Sequence, residues 1–393
     1  MKSLDNLALK GKRVFMRVDF NVPLDKEQHV KDDLRIRAVL PSIRKVVDSG
    51  ARLILASHLG RPKGKVLPEY SLAPAAQRLS QLLGKPVVLA PDCVGPEVEK
   101  MVAQLKEAEV LLLENLRFHP EEEKNDPEFS RLLAGLADIY VNEAFAASHR
   151  AHASVEGICR FAPVCAAGYQ LEKEISYFQK AMENPRRPLA IIVGGAKVST
   201  KLGLLENLIA KTDYLLIGGA MANTFFKARG LETGKSLIEE DFVEKASALL
   251  KAANKRGVKI FLPVDVVVAT EEADGGQARE VPVEGVAKDM KIFDIGQKSV
   301  ELFEAALKSC GTIIWNGPMG VFESPPFNKG TFAIAQFMGT LGALTIVGGG
   351  DSAAALRQAR AEDKVSYIST GGGAFLEMLE GKKLPGVAAL ERC

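Results

Sequence analysis

A short apolar run that ends in glycines recurs four times in the second half of this chain, and it constrains the fold strongly. The copies lie at residues 189–195, 214–219, 344–350 and 367–373. An apolar run followed by glycines and helix-forming residues is typical of a strand–turn–helix unit in a parallel sheet. Glycine lets a ligand approach the backbone, and a helix N-terminus attracts anions. We therefore expect a phosphate-bearing ligand at the carboxyl ends of these strands.

The first half of the chain also alternates strand-like and helix-like segments. The predicted strands are 13–19, 53–57, 87–89, 110–113 and 139–141, and helical periodicity is clear at 34–48 and 72–83. Regular alternation of this kind predicts mostly parallel sheets covered by helices on both faces. Because 393 residues exceed what one core usually supports, we expect an α/β protein with two doubly wound domains.

Bulk composition excludes several classes of protein. The net charge is only +2, which argues against a nucleic-acid-binding surface. Five cysteines without a CxxC spacing suggest reduced, mostly structural thiols rather than a disulfide framework or zinc site. The chain start has no apolar stretch of signal-peptide length, and no segment is long and apolar enough to span a membrane. We therefore expect a cytoplasmic protein.

Anion-binding side chains follow the predicted strands of the first half. Asp19, Phe20 and Asn21 follow the first strand, ahead of Arg35, and a second strand is followed by His58, Leu59, Gly60 and Arg61. Arg117 and Arg150 follow two later strands. One arginine after a strand is usually a solvated loop residue, but several at one sheet edge indicate a site. Because the arginine fork suits carboxylate and phosphate, the set implies a small polyanionic substrate.

The second half adds candidate phosphate-handling residues. Lys197 and Lys201 follow a glycine turn, and their spacing predicts that both lie on one face at the start of a helix. Asp351 follows three glycines, where aspartate is commonly an N-cap, and where it is also suited to ligate Mg²⁺. The turn-rich segment 315–323 has side chains suited to flank a nucleoside.

Several familiar motifs are absent or misleading. Residues 230–236 (GLETGKS) resemble a P-loop but have one residue too few between the glycines and follow a helical stretch. There is no GxGxxG after a strand, no GxSxG and no HExxH, which weakens dehydrogenase, serine hydrolase and zincin assignments. A nicotinamide-dependent dehydrogenase and a two-lobed anion-binding protein without turnover remain as alternatives.

Taken in order along the chain, the motifs resemble those of the phosphoglycerate kinase family. They are RVDFNVP (17–23), SHLGRP (57–62), LRF (116–118), SHRAHAS (148–154), GGAKVSTK (194–201), WNGPMGVFE (315–323), GGGDS (348–352) and STGGGA (369–374). Each motif alone is weak evidence, whereas the ordered set over the whole chain is specific. Ser352 stands where many members have threonine, which keeps the hydroxyl.

The resemblance implies two domains that face each other across a cleft. An N-terminal phosphoglycerate-binding domain would comprise residues 1–170, with the tail 379–393 packing back on it. A C-terminal nucleotide-binding domain would comprise 171–378, joined through a connector helix at about 170–183. The implied reaction is reversible phosphoryl transfer from 1,3-bisphosphoglycerate to ADP, giving 3-phosphoglycerate and ATP in glycolysis and gluconeogenesis, with hinge-bending domain closure. The protein is expected to be a monomer that binds neither nucleic acid nor membrane.

The resemblance also assigns residues to the two sites. The substrate site would use Asp19, Phe20, Asn21, Arg35, His58, Leu59, Gly60, Arg61, Arg117 and Arg150. The nucleotide site, which takes Mg-ADP or Mg-ATP, would use Gly195, Lys201, Gly218, Gly219, Asn316, Glu323, Gly349, Gly350, Asp351 and Ser352, with Mg²⁺ at Asp351. The implied catalytic residues are Arg35, Lys197, Lys201, Gly350 and Gly373.

Overall fold

The chain forms two compact units, each built on its own six-stranded parallel sheet. The structure is a computed structural model that describes residues 1–273, 275 and 277–393. One unit comprises Met1–Ser176 with Lys383–Cys393, and the other comprises Tyr177–Lys382. The predicted α/β class with two mostly parallel sheets is confirmed. None of the helices in the described part of the chain is long and apolar enough to cross a membrane.

The first unit alternates strands and helices as the sequence predicts. Its strands are β1 (Arg13–Arg17), β2 (Arg52–Ala56), β3 (Val87–Leu89), β4 (Val110–Leu112), β5 (Ile139–Asn142) and β6 (Cys165–Ala167), in the order β3-β4-β2-β1-β5-β6. Its helices are α1 (Leu34–Asp48), α2 (Ala73–Leu83), α3 (Pro96–Gln104), α4 (Pro120–Glu123) and α5 (Pro127–Gly135). All the strand pairs of this sheet are parallel.

The strands of this sheet are apolar because helices cover both faces. In β1, Val14, Phe15 and Met16 are fully buried, so the run does not alternate between polar and apolar residues. The strand ends at Arg17 rather than at the predicted residue 19. The difference has a local cause, since the Asp19 carboxylate accepts a hydrogen bond from the Asn21 amide at 3.1 Å and turns the chain.

Helix α6 (Tyr169–Met182) contains the point at which the chain divides into its two units. The division falls between Ser176 and Tyr177, inside the helix, whereas the sequence predicts a boundary near residue 170. The buried Glu143 carboxylate accepts hydrogen bonds from the Gln170 and Leu171 amides. These bonds satisfy first-turn donors that have no partner within the helix.

The second unit carries the four glycine-ended strands in one sheet. Its strands are β7 (Leu189–Val193), β8 (Tyr214–Ile217), β9 (Lys259–Phe261), β10 (Asp265–Ala269), β11 (Arg279–Pro282), β12 (Lys291–Ile295), β13 (Thr312–Asn316), β14 (Leu344–Gly348) and β15 (Tyr367–Ser369). The parallel sheet has the order β15-β14-β13-β7-β8-β9, while β11-β10-β12 form a separate antiparallel sheet that the sequence analysis did not predict. The helices are α7 (Leu202–Ile209), α8 (Met221–Ala228), α9 (Val243–Lys255), α10 (Gln297–Leu307), α11 (Lys329–Met338), α12 (Gly350–Gln358) and α13 (Gly373–Leu379).

The last helix, α14 (Pro385–Arg392), belongs to the first unit. Arg392 pairs with Glu156 at 2.9 Å, and the Gly386 amide donates to the Ser148 carbonyl. Cys165 on β6 and the C-terminal Cys393 form a disulfide. The expectation of reduced thiols is therefore wrong for these two cysteines, while Cys93, Cys159 and Cys310 are free. A separation of 228 residues hides the pair in the sequence, and the return of the tail brings the two together.

We expect the disulfide to stabilise the protein. Reduction, or the substitution Cys393→Ser, should lower the free energy of unfolding by about 2–4 kcal/mol, because the cross-link restricts the unfolded chain. Thermal unfolding with and without a thiol reductant measures the effect. The reductant should lower the melting temperature of the wild type and leave that of Cys393→Ser unchanged. An equal response of both proteins to the reductant would contradict the expectation.

Candidate active site

Four neighbouring strands of the first unit end at one edge and deliver polar side chains there. Strands β4, β2, β1 and β5 are adjacent and parallel, so the segments that follow them meet at their carboxyl ends. These segments carry Asp19, His58, Arg117 and Arg150. Burial lowers the pKa of His58, and the charges of Arg17 and Arg117 add to this effect.

The Arg35 guanidinium is held in place by a short chain of hydrogen bonds. It lies in the first turn of α1 and donates to the Asp19 carboxylate at 2.8 Å. The backbone N–H of Asn21 donates to Asp19. The side-chain Oδ1 of Asn21 accepts from the backbone N–H of Gly60 at 2.9 Å. The Arg35 side chain remains 37% exposed, whereas that of Asp19 is 11% exposed. The arrangement fixes Arg35 at the sheet edge and leaves part of its fork accessible to a ligand.

The remaining predicted residues of this edge differ in accessibility. Arg117 is buried, donates to the Gly60 carbonyl at 2.8 Å and lies 3.4 Å from Glu123, and burial lowers its pKa. Arg61 and Arg150 are exposed. Phe20 and Leu59 belong to the hydrophobic core. These two residues can therefore offer a ligand only their backbone groups.

Arg17, which the sequence analysis did not select, contacts the predicted residue His58 directly. Arg17 is fully buried at the end of β1, and its Nη2 lies 3.1 Å from His58 Nδ1. A guanidinium can only donate hydrogen bonds, so Nδ1 accepts and the proton of the neutral ring resides on Nε2. Burial, followed by the charge of Arg17, holds the pKa of His58 well below its usual value. His58 is thus a neutral hydrogen-bond donor.

The buried charge of Arg17 is balanced through a second set of contacts. Its Nε donates to Ser154 Oγ at 3.3 Å, and that hydroxyl donates to Glu122 at 2.6 Å. Glu122 is fully buried, which raises its pKa, and the charge of Arg17 opposes this rise. An ionisable residue at the end of an otherwise apolar strand was the available signal in the sequence.

We expect Arg17→Met to weaken substrate binding by releasing His58. The KM for the anionic substrate should rise about tenfold, which corresponds to loss of one hydrogen bond to a charged group. Without the adjacent cation, the pKa of His58 should rise, and His58 should gain a proton at higher pH. Imidazole ¹⁵N NMR during a pH titration follows both the pKa and the tautomer. Arg13→Met on the same strand, where Arg13 pairs with Asp138 at 2.9 Å, is the control. An unchanged His58 titration would contradict the assignment.

In the second unit, the ammonium group of Lys201 lies at the ends of two adjacent strands. Its Nζ donates to the Gly194 carbonyl at 2.6 Å, the Asn316 carbonyl at 3.2 Å and Asn316 Oδ1 at 2.7 Å. Burial lowers the pKa of Lys201 to about 8, and Asp351 acts in the opposite direction.

The prediction that Lys197 and Lys201 share one face at the start of a helix is wrong for Lys197. Helix α7 begins at Leu202, with Lys201 as its N-cap and Lys197 exposed in the preceding loop. Residues 198–201 form bends and turns rather than helix, so a spacing of four residues does not place the lysines on one helical face.

Glycines allow the strand-end loops to pack closely. A Cβ at Gly219, where φ is +67°, would lie 2.5 Å from the Gly195 amide nitrogen, and one at Gly218 would lie 2.4 Å from Met319 Sδ. Polar side chains then fix the loop after β13, because Asn316 donates to the Gly348 carbonyl and Ser352 Oγ accepts from the Gly317 amide, both at 2.7 Å. Asn316 and Ser352 are thus buried supports of the loop.

Next to these loops the second unit has a cavity of about 240 Å³. Four of the predicted nucleotide-site residues line it: Gly195, Gly219, Glu323 and Asp351. The other predicted residues lie in the neighbouring loops and helix starts, with Gly349, Gly350 and Ser352 at the beginning of α12 and Gly373 at the beginning of α13. The cavity therefore combines glycine turns with a helix N-terminus, as expected for an anion site.

Asp351 fits the requirements of a Mg²⁺ ligand. It is the second residue of α12, is exposed, and lines the cavity beside the glycine turns. A single carboxylate is sufficient where phosphate oxygens and water supply the remaining ligands.

Asp92, Cys93 and His119 of the first unit also place potential ligand atoms within 4.8 Å of one another. His119 is already paired with Asp92 at 2.6 Å, and burial raises the pKa of the Cys93 thiol well above its usual value. Both features oppose metal binding there.

Comparison with known proteins extends over the whole chain. The family model of phosphoglycerate kinase matches residues 4–382. A phosphoglycerate kinase of Syntrophobacter fumaroxidans is 67% identical over 393 residues, covering 100% of this chain and 99% of the relative. One from Geobacter metallireducens is 56% identical over 384 residues, covering 98% of this chain and 96% of the relative.

Solved structures agree with the sequence comparisons. The structure of phosphoglycerate kinase from Coxiella burnetii has a TM-score of 0.91 at 42% identity, covering 100% of this chain and 99% of that one. The enzyme from Pyrococcus horikoshii has a TM-score of 0.83 at 33% identity, with 100% and 98% coverage. With two anion-suited strand edges and this similarity over its full length, the chain belongs to the phosphoglycerate kinase family, as its motifs predict.

Proposed function

We propose that the two strand edges bind the two substrates of one phosphoryl-transfer reaction, one substrate at each edge. The first unit holds 3-phosphoglycerate or 1,3-bisphosphoglycerate, and the second holds ADP or ATP with Mg²⁺. The observation that carries this proposal is the ammonium of Lys201, fixed at the ends of two strands beside a cavity with glycine turns. A fixed cation next to an anion site is suited to stabilise charge on a transferring phosphoryl group.

In the first unit, each basic residue has a distinct role. Arg35 contacts the transferring group, because Asp19 fixes its fork while leaving it partly exposed. His58 donates from Nε2 to a substrate oxygen. Arg61, Arg117 and Arg150 neutralise the phosphate and carboxylate of the substrate. The hydrogen bond between Asn21 and Gly60 joins the segments that follow β1 and β2.

In the second unit, the phosphates of the nucleotide lie along the glycine turns at Gly195, Gly219 and Gly350. Asp351 would hold Mg²⁺, which would supply positive charge that neutralises the phosphates. Lys201 exchanges some of its carbonyl partners for phosphate oxygens, and the exposed Lys197 assists. Gly373, at the start of α13, offers a backbone amide to the transferring group.

The chemistry does not require a general base. In the direction of ATP consumption the acceptor is a carboxylate, which is already ionised at neutral pH. Catalysis then depends on in-line positioning and on neutralising the charge of the transferring group.

Both ligands have to meet for transfer, so we propose that the units close on each other when both are bound. Closure excludes water that would hydrolyse the acyl phosphate. Bending would occur at the connector near residues 168–182 and near residues 371–377, ahead of the return of the chain to the first unit at Lys383. Small-angle scattering tests this, and identical compactness with and without both substrates would contradict it. The same experiment tests the expectation of a monomer, and cell fractionation tests that of a cytoplasmic enzyme.

The experiment that tests the reaction measures ADP-dependent formation of ATP from 1,3-bisphosphoglycerate, with and without Mg²⁺. The wild type should form ATP only with the metal. Asp351→Asn should require a higher Mg²⁺ concentration for half-maximal rate. Binding of both ligands without ATP formation would overturn the proposal.

A further inference from the structure

A buried asparagine lines the cavity of the second unit with one of its polar atoms unused. Asn223 is the third residue of α8 and is 0% exposed. Its Oδ1 has no hydrogen-bond partner among the described residues. Leaving a buried acceptor without a hydrogen bond is energetically unfavourable, so such an atom calls for an explanation.

The orientation of this amide is fixed by its other end. Asn223 Nδ2 donates to the Leu237 carbonyl at 3.2 Å. Rotating the amide by half a turn would place two oxygens against each other and lose that bond. The unused group is therefore an acceptor, and a ligand that satisfies it has to present an N–H or O–H donor.

Other polar side chains of the cavity do not offer the same group. The Asp294 carboxylate already accepts from the Gly330 amide at 2.8 Å and the Ile295 amide at 2.9 Å. Glu323 and Asp351 are exposed. Within the described part of the lining, Asn223 alone combines full burial with an unpaired acceptor.

The position of Asn223 in the cavity indicates which part of a nucleotide it meets. Phe226 follows it by one helical turn and lines the same cavity, together with the apolar side chains of Pro263, Val266 and Phe293. The phosphate-suited glycine turns at Gly195 and Gly219 form another part of the lining. An apolar wall with one oriented polar group is a typical site for an aromatic base.

We propose that Asn223 selects the base of the nucleotide by accepting a hydrogen bond at Oδ1 from the exocyclic 6-amino group of adenine. The inference rests on the proposed function of the cavity as the nucleotide site. A base with a 6-oxo group places a second acceptor against Oδ1, and one with hydrogen at that position leaves Oδ1 unpaired. Both should be disfavoured, since a site built for a hydrogen bond rejects analogues that cannot form it.

The test compares ADP with inosine diphosphate and purine riboside diphosphate, measured both as kcat/KM and as Kd by calorimetry. The wild type should prefer ADP by about tenfold, as expected for one hydrogen bond. In Asn223→Leu the preference should fall below about threefold. A ratio between two nucleotides on one protein cancels any general loss of folding or activity.

Thr224→Val is the matched control, because Thr224 is buried on the same helix and accepts from the Glu239 amide at 3.2 Å. This variant should keep the wild-type preference. An unchanged preference in Asn223→Leu, or no preference in the wild type, would overturn the inference. 2′-Deoxy-ADP is measured as a further nucleotide. If Asn223→Leu changed only the preference for ADP over 2′-deoxy-ADP, Oδ1 would lie at the ribose and the inference would be overturned. A base preference in binding without ATP formation would instead count against the proposed function alone.

Discussion

Replacement of Arg35 by alanine is expected to lower kcat by about 10³-fold, with little effect on nucleotide binding. The guanidinium is fixed by Asp19 at 2.8 Å and is partly exposed at the edge of the sheet. The Arg35 side chain therefore needs no rearrangement before its guanidinium contacts the transferring group. The loss should appear in kcat because the interaction strengthens as charge develops in the transition state. Steady-state kinetics with 3-phosphoglycerate and ATP, together with calorimetry of nucleotide binding, measure both effects.

Arg37→Ala provides a control on the same helix. Arg37 is 52% exposed and pairs with Asp33 at 2.8 Å, so it matches Arg35 in charge and helix but not in its contact with Asp19. Its removal should change kcat by less than about threefold. Near-normal turnover in Arg35→Ala would refute the assignment, and an equal loss in both variants would point to helix α1 rather than to the side chain.

The sheets and strand-end residues were predictable because their signals are local. Strands such as β3 and helices such as α1 are read directly from apolar periodicity, and Asp19, His58 and Arg117 follow strands within a few residues. Parallel pairing then brings these segments to one edge without any further information. Glycines such as Gly219 were equally visible, since their positive φ and close packing require that residue.

What remained hidden depends on contacts between distant segments. Cys165 and Cys393 meet only because the tail returns to the first unit. Arg17 directly follows the apolar run 14–16, but the sequence does not show that His58 and Ser154 lie around its guanidinium. Asn223 leaves its Oδ1 unpaired only because the Leu237 carbonyl fixes the orientation of the side-chain amide. No periodicity records such hydrogen bonds, because they join residues whose spacing in the sequence is arbitrary.

Removal of the Lys201 ammonium is the second change with a large expected effect. Lys201→Met should lower kcat by about 10³-fold, because the charge lies at the ends of β7 and β13 in a partly buried position. Lys211→Met, which removes an exposed lysine after α7, should leave kcat close to that of the wild type. A similar kcat in Lys201→Met and Lys211→Met would show that the Lys201 ammonium takes no part in catalysis.

The pH dependence provides an independent test of the same residue. Burial lowers the pKa of Lys201 to about 8 in the ligand-free protein, and the active form is the cation. We therefore expect kcat/KM for Mg-ADP to be maintained below pH 8 and to fall above it as the amine loses its proton. The fall should be weaker in kcat, since bound phosphates favour the charged form.

Asp351 raises the pKa of Lys201, so Asp351→Asn should move the alkaline fall in kcat/KM to lower pH. An alkaline limb that stays in place in Asp351→Asn would show that another group titrates there, because the Lys201 pKa depends on that neighbouring charge.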